Sequence, residues 1–283
     1  MEKTVLVTGA SGNLGRDVVK TLSNKGYQVK AATRDVRKIS TSKSVTAVRF
    51  DYAEPDTFTD ALDAVGGLFL VAPPMDPEAP AKLVPFVKKA KEAGVGHVVF
   101  VSALGVELNE QAPLRVIERA LMDSGLAYTI LRPNFFMENF STGFIAPMIK
   151  QQNGIFLAAG DGKTSFISTK DIAEVAAAAF SKALYGEEYN LTGPEALDHT
   201  QAAKIISEVI GRKVSYHALS EEAMLQGARD QGMPEGAVQY MGILYAVVRA
   251  GYMAVVTDNV QKVTGRKPAA FTEFARQNAS CWR

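Results

Sequence analysis

Along the first half of the chain, short runs of apolar residues alternate with stretches whose apolar positions recur every three or four residues. The runs are Val5-Leu6-Val7-Thr8, Tyr27 to Thr33, Val45 to Phe50, Gly67 to Val71, His97 to Ser102 and Tyr128 to Leu131. Between them the periodicity predicts helices over about Gly15 to Lys25, Asp56 to Leu62, Ala79 to Ala93 and Pro113 to Ser124. Leu83, Phe86, Val87 and Ala90 share one face of the third. Strands that are apolar throughout are buried on both faces, and amphipathic helices between them are the covers. The pattern predicts an α/β fold built on a doubly wound parallel sheet.

The rhythm changes after Arg132-Pro133. Asn134 to Phe144 is aromatic-rich, Gly154 to Phe166 reads as loop and short strand, and Asp171 to Leu184 is an alanine-rich helix. Smaller elements follow: a strand at Tyr189 to Leu191, a helix from about Thr200 to Ile210, a strand at Lys213 to His217, then helices. The expected division is a sheet domain over 1–135, with 166–185 packing back on it, and a smaller α+β region over 136–283.

The candidate chemistry starts at Thr8-Gly9-Ala10-Ser11-Gly12-Asn13-Leu14-Gly15, which follows the first strand and opens the first helix. That context makes a glycine triplet the fingerprint of a Rossmann dinucleotide site. Gly9 permits the tight turn, Gly12 lets the backbone approach a pyrophosphate, and Gly15 lets the helix lie close on the sheet. Ser11, Asn13 and Leu14 complete the loop, and the helix N-terminus stabilises the phosphate charge. The second strand ends Thr33-Arg34-Asp35. An arginine there accommodates a 2′-phosphate, whereas an acidic residue grips a 2′-hydroxyl. Arg34, with Arg37 and Lys38 nearby, points to NADPH rather than NADH, and Asp35 reads as the cap of a short helical turn. Asp51 stands between two readings, a contact to the adenine edge and another helix cap.

The 283 residues carry 31 Lys and Arg against 30 Asp and Glu, a net charge of +1. No global field selects nucleic acid or an anionic membrane, so small molecules are the expected partners. No stretch approaches the ~20 apolar residues of a membrane span, and Met1-Glu2-Lys3-Thr4 passes into the first strand without a signal-peptide pattern. A cytoplasmic protein, monomer or homodimer, is expected. The single cysteine, Cys281, allows no intrachain disulfide and has no basic cluster beside it. His97, His199 and His217 lack metal-ligand spacing, so no metal is expected.

Gly9-x-x-Gly12-x-x-Gly15, Arg34-Asp35, Asp51-Tyr52, Val101-Ser102-Ala103 and Leu131-Arg132-Pro133-Asn134-Phe135-Phe136-Met137-Glu138-Asn139 resemble the NmrA-like group of atypical short-chain dehydrogenases. So do Phe166-Ile167-Ser168-x-x-Asp171-Ile172-Ala173, Leu191-Thr192-Gly193-Pro194 and Gly211-Arg212-Lys213-Val214. The chain looks most similar to the clavine (festuclavine and agroclavine) dehydrogenases, with NAD(P)H:quinone, azo-dye and triphenylmethane reductases next. The resemblance implies that Pro133, Asn134 and Phe135 contact the nicotinamide side, with Ser102 and Ala103 at the preceding strand end and Ala72-Pro73 near the ribose. Met75, Phe136, Glu138 and Asn139 are expected around the acceptor, Glu138 attracting a cationic one. The competing reading makes Phe135, Phe136 and Phe140 core and Asn139 a turn cap. Tyr240 to Val256 reads as a helix that covers the cleft, fills the core or forms a dimer.

An ordinary short-chain dehydrogenase protonates its product with a Tyr-x-x-x-Lys pair. Here the segment after Ser102 offers Leu114-Arg115-Val116-Ile117-Glu118-Arg119, with neither residue. Hydride delivered to a ketone leaves an alkoxide that needs a proton donor, whereas an iminium, quinone or dye-like acceptor does not. The expected function is therefore NADPH-dependent reduction of such an acceptor. A non-catalytic NAD(P)-binding redox sensor of the NmrA type is the alternative, and a sugar epimerase of the extended class is disfavoured by the missing pair.

Overall fold

The computed structural model describes residues 4–283. β1 (Thr4–Val7) passes through the glycine loop into α1 (Asn13–Asn24). Then come β2 (Gln28–Thr33), β3 (Val45–Arg49), α2 (Thr57–Leu62), β4 (Gly67–Val71), α3 (Ala79–Glu92), β5 (His97–Val101), α4 (Pro113–Met122) and β6 (Ala127–Pro133). β6 outruns its apolar run because Pro133 lacks an N–H but still accepts, taking the Leu104 N–H at 3.0 Å.

The second half holds α5 (Ile145–Gln152), β7 (Gly154–Leu157), α6 (Thr169–Lys182), β8 (Glu187–Leu191), α7 (His199–Ile210) and β9 (Ser215–Ala218). It ends with α8 (Glu221–Asp230), α9 (Glu235–Arg249), α10 (Asn259–Thr264) and α11 (Phe271–Gln277). α6 starts two residues before the expected Asp171 because Ser168 caps it, its hydroxyl accepting the Lys170 N–H.

Seven parallel strands form the main sheet in the order β3-β2-β1-β4-β5-β6-β8. Successive side chains alternate between its faces. Val5, Val7, Phe69, Val99 and Val101 pack with Leu14, Val18 and Leu22 of α1 and with Ile172, Ala176 and Phe180 of α6. Leu6, Leu68, Leu70, Val98 and Phe100 pack on the other side with Phe58 of α2, Phe86 of α3 and Ile117 of α4. The alanine-rich helix thus lies back on the sheet against α1, and β8 adds the outermost strand. A second cluster gathers Phe140, Ile149, Phe166, Ile206, Tyr245 and Trp282 around the parallel pair β7–β9.

The strand order reverses between β1 and β4, the point where open α/β sheets bind ligands beyond their strand ends. The segments following β1, β4, β5 and β6 all rise on that edge. Among the described residues no single helix is long and apolar enough to cross a membrane, and no cluster of His, Cys, Asp or Glu suits a metal ion.

Candidate active site

Thr8 ties the ends of the two central strands together. Its N–H and hydroxyl both donate to the Phe69 carbonyl, and its hydroxyl accepts the Val71 N–H. Gly9 then turns with a φ of +63°, and a Cβ there would stand 2.8 Å from Val71 Cγ1. The Gly12 N–H closes the loop on the Gly9 carbonyl at 2.9 Å. α1 has Gly12 as its N-cap, no side-chain cap and no acidic residue in its first turn. The N–H groups of Asn13, Leu14 and Gly15 precede the first intrahelical bond, from Arg16 to Gly12, and point out of the helix end unpaired. Leu14 gives only its backbone, since its side chain is in the core. Ser11 Oγ lies 3.4 Å from Thr33 Oγ1 at the end of β2.

Beyond Thr33 the charges are sorted. Asp35 caps the following turn and binds the Arg37 side chain at 2.8 and 3.0 Å. Arg37, its charge matched, drops out as a spare cation. Arg34 is exposed and makes no ion pair or hydrogen bond among the described residues. Asp51 Oδ1 accepts the Ala53 N–H at 3.0 Å, the turn-capping role, while Oδ2 stays free.

Across the crevice, Ala72 and Pro73 leave β4 half-buried. Met75 follows with a φ of +52°. The other non-glycine residues with positive φ, Ala64, Asn153 and Ala183, all lie just past helix ends; Met75 does not. Its side chain reaches across to the second cluster, as does Leu104. Ser102 Oγ, at the end of β5 just before Ala103, is sealed from solvent close to Glu118.

Where a Tyr-x-x-x-Lys helix would present its acid, α4 presents Arg115 and Glu118. Glu118 is fully buried and accepts Arg115 Nη1 at 2.7 Å and Arg132 Nε and Nη2 at 2.8 Å each. Arg132 continues to Glu188 on β8. Burial works to raise the Glu118 pKa, but Arg132, the Ser102 hydroxyl and Arg115 hold it below the usual carboxylate range. Glu118 stays ionised and donates no proton.

After β6, internal hydrogen bonds and packing occupy several of the candidate side chains. Asn134 spends its whole amide inside the protein: Nδ2 donates to Ser165 Oγ at 2.7 Å and the Met253 carbonyl at 2.8 Å, and Oδ1 accepts the Phe135 N–H. It positions the strand end instead of offering a side chain to a ligand. Phe135 and Phe136 pack on different clusters. In extended backbone their rings face opposite ways, so Phe135 packs on the second cluster and Phe136 on the sheet cluster with Val71. Glu138, expected to draw a cationic acceptor, is only 9% exposed and accepts the Ser168 hydroxyl and Thr169 N–H at 3.0 Å each, holding the start of α6. Burial raises its pKa against those bonds. Asn139 is half-buried with a free side chain, and its N–H donates to the Phe136 carbonyl. Phe140 is core.

Sequence reasoning placed neither Tyr245 nor His199 in the site. The Tyr245 ring lies 6.1 Å from that of Phe135 and 6.4 Å from that of His199, centroid to centroid. Both residues are 2% exposed, and His199 Nδ1 has no partner. The one signal was the aromatic spacing of Tyr240 to Val256, which does not distinguish Tyr245 from its neighbours.

Unpaired N–H groups at the α1 start and a cradle that glycines alone keep open together fit a dinucleotide. Residues 1–275 match the NmrA-like family. The NAD(P)H azoreductase of Xenophilus azovorans is 33% identical, over 98% of this chain and 99% of its own. The agroclavine dehydrogenase of Claviceps fusiformis is 32% identical, over 99% of this chain and 98% of its own. The structure of an NADPH-dependent quinone oxidoreductase from Escherichia coli, solved with NADPH, is similar at a TM-score of 0.83 and 26% identity, covering 97% of this chain and 98% of that one. Strand order, glycine loop and full-length matches agree: the chain belongs to the NmrA-like family.

Proposed function

We propose that this protein is an oxidoreductase that uses NADPH in preference to NADH to reduce an electron-poor small molecule of the iminium, quinone or dye-like kind. The carrying observation is the pairing of an open phosphate cradle with a strand-end region that lacks a proton-donating pair. Relatives that act on azo, clavine and quinone compounds support the reading. A reduced nicotinamide, when bound, supplies hydride. The protein's own groups do the rest: the N–H groups of Asn13, Leu14 and Gly15 hold the pyrophosphate, and Arg34 meets the 2′-phosphate. Ser102 and the Pro133–Phe135 backbone flank the nicotinamide, while Phe135, Met75 and Leu104 wall the acceptor and exclude water.

The test is loss of reduced-nicotinamide absorbance with a panel of quinones, iminium salts and cationic dyes, beside calorimetric titration with NADPH. Enzyme-dependent oxidation with at least one acceptor is expected. NADPH binding with no turnover on any would favour the sensor. Arg34→Ala should weaken NADPH binding about 10-fold, the worth of one charge-assisted contact, and leave NADH nearly unaffected. An unchanged preference would remove Arg34 from the site.

The two phenylalanines give a second check. Phe135→Ala should raise the acceptor KM by about 10-fold through lost ring contact. Phe136→Ala should instead lower stability by about 2 kcal/mol, short of the cost for a fully buried ring. The opposite outcome would restore the original assignment.

A further inference from the structure

An acceptor that ends in a carbonyl oxygen gathers negative charge there as it takes hydride, and α4 offers no donor to meet it. We propose that Tyr245 supplies this hydrogen bond, and hence that the favoured acceptor carries a quinone-type ring carbonyl. The proposal rests on the reductase reading above.

Three observations carry it. First, the hydroxyl is free. Tyr52 and Tyr216, also well inside the protein, donate to the Val71 and Leu157 carbonyls at 2.9 and 3.0 Å. Tyr245 makes no hydrogen bond among the described residues, although only 2% of it is exposed. Its oxygen is not among the buried polar atoms sealed without a partner, so the little surface it keeps includes that oxygen. A buried hydroxyl left unpaired is destabilising unless something from outside meets it.

Second, its ring lies next to Phe135, at the strand end to which the segment after α9 is tied. Asn134 Nδ2 holds the Met253 carbonyl, the Ser165 N–H donates to the same carbonyl at 3.0 Å, and Ser165 Oγ donates to the Val255 carbonyl at 2.6 Å. These bonds pin the segment beyond α9 to the end of β6, and the Tyr245 ring comes to rest beside Phe135.

Third, its protonation suits a donor. Burial, with Tyr216 nearby, raises the Tyr245 pKa, so the O–H persists through neutral pH. His199, whose ring centroid lies 6.4 Å from that of Tyr245, is pushed down to about 4 by burial and brings no competing cation.

The balance is simple. Two electrons and one hydrogen pass as hydride from the reduced dinucleotide, which is oxidised, to the quinone, which becomes the hydroquinone monoanion. Tyr245 steadies the charged oxygen without losing its proton, and water supplies the proton that completes the hydroquinone. A fixed donor aimed at developing charge is worth about 100-fold in rate.

Tyr245→Phe removes one oxygen and little else. With a benzoquinone, kcat should fall about 100-fold while KM changes by less than about 3-fold. With a cationic triarylmethane dye, which takes hydride at carbon and becomes neutral, the loss should be far smaller. A readout without turnover uses 4-nitrophenol, titrated by its phenolate absorbance in the presence of cofactor-free protein. Its pKa when bound should be lower in the wild type than in the variant.

Equal loss with quinone and dye would mean a structural role and would overturn the proposal, as would 4-nitrophenol titrating alike in both proteins. Wild-type protein that oxidises NADPH with neither acceptor would sink the reductase reading instead, and the nitrophenol titration would still decide Tyr245.

Discussion

A Gly15→Ala variant is expected to bind NADPH more than about 100-fold more weakly than the wild type, a loss of about 3 kcal/mol measurable by calorimetry. A methyl at this position would sit 2.1 Å from the Gly9 carbonyl oxygen, 2.7 Å from its carbon and 2.8 Å from the Ala10 Cα. All three are backbone atoms, so no side chain can swing away. Gly9 cannot retreat, since it is already turned against Val71 with a positive φ. α1 must lift from the sheet, and the N–H groups of Asn13, Leu14 and Gly15 leave their common focus. Overpacking of this kind costs about 1–3 kcal/mol in stability as well. Gly227→Ala makes the control: it lies in α8, far from the loop in the chain, and a Cβ there would meet nothing within 4 Å. Wild-type affinity in Gly15→Ala would mean that the pyrophosphate rests elsewhere.

The protein should also lose stability steeply as pH falls from 6.5 to 4. His97 is buried, its Nε2 donating at 2.8 Å to Thr129 Oγ1, whose own proton goes to the Leu184 carbonyl. Burial pushes His97 from 6.5 down to about 4, and His199 likewise. In that window the unfolded chain takes up protons that the folded one refuses. Each histidine's contribution is therefore complete above about 6.5 and lost as pH drops through the folded value, about 3 kcal/mol apiece. Glu138 and Asp171, raised by burial, pull the other way because the folded state protonates them first. The net loss is then less than about 6 kcal/mol, still comparable to a typical total stability. Urea midpoints at pH 7.5 and 4.5 test this. His199→Phe, which keeps a ring among Phe140, Phe166, Tyr216 and Tyr245, should flatten the dependence by roughly half. A wild-type midpoint that does not move would show that neither imidazole is held neutral.

What could be read from the sequence was what neighbours in sequence decide. The glycine loop is a matter of eight consecutive residues between a strand and a helix, and Arg34 needs only its place at the end of β2. The parallel sheet follows from runs such as Val98-Val99-Phe100, whose side chains find apolar partners on both faces. β8 was seen only as Tyr189 to Leu191, because at the sheet edge Glu187 and Glu188 are tolerated in a strand and erase the apolar run.

The aromatic segment after β6 was harder, since its roles are set from far away in the chain. Asn134 is claimed by Ser165 and Met253, and Glu138 by Ser168 and Thr169. Whether Phe135 or Phe136 faces the acceptor depends on a one-residue register that composition does not encode. Tyr245 stands out only once the clamp beyond α9 is known.

The place of β8 in the sheet bears on how such enzymes can be recombined. A single crossover near residue 135 would graft a foreign second half complete with its own outermost strand and its own α6. Arg132 would then face a strange residue in place of Glu188, and α1 a strange helix. A chimera that keeps this nucleotide-binding scaffold has to retain both 169–191 and 257–264, whose Val260 and Val263 join the sheet cluster, and exchange the second-half segments before, between and after them. Swapping acceptor preference within this architecture is thus a task with five splice points, and libraries built on one will mostly yield misfolded hybrids.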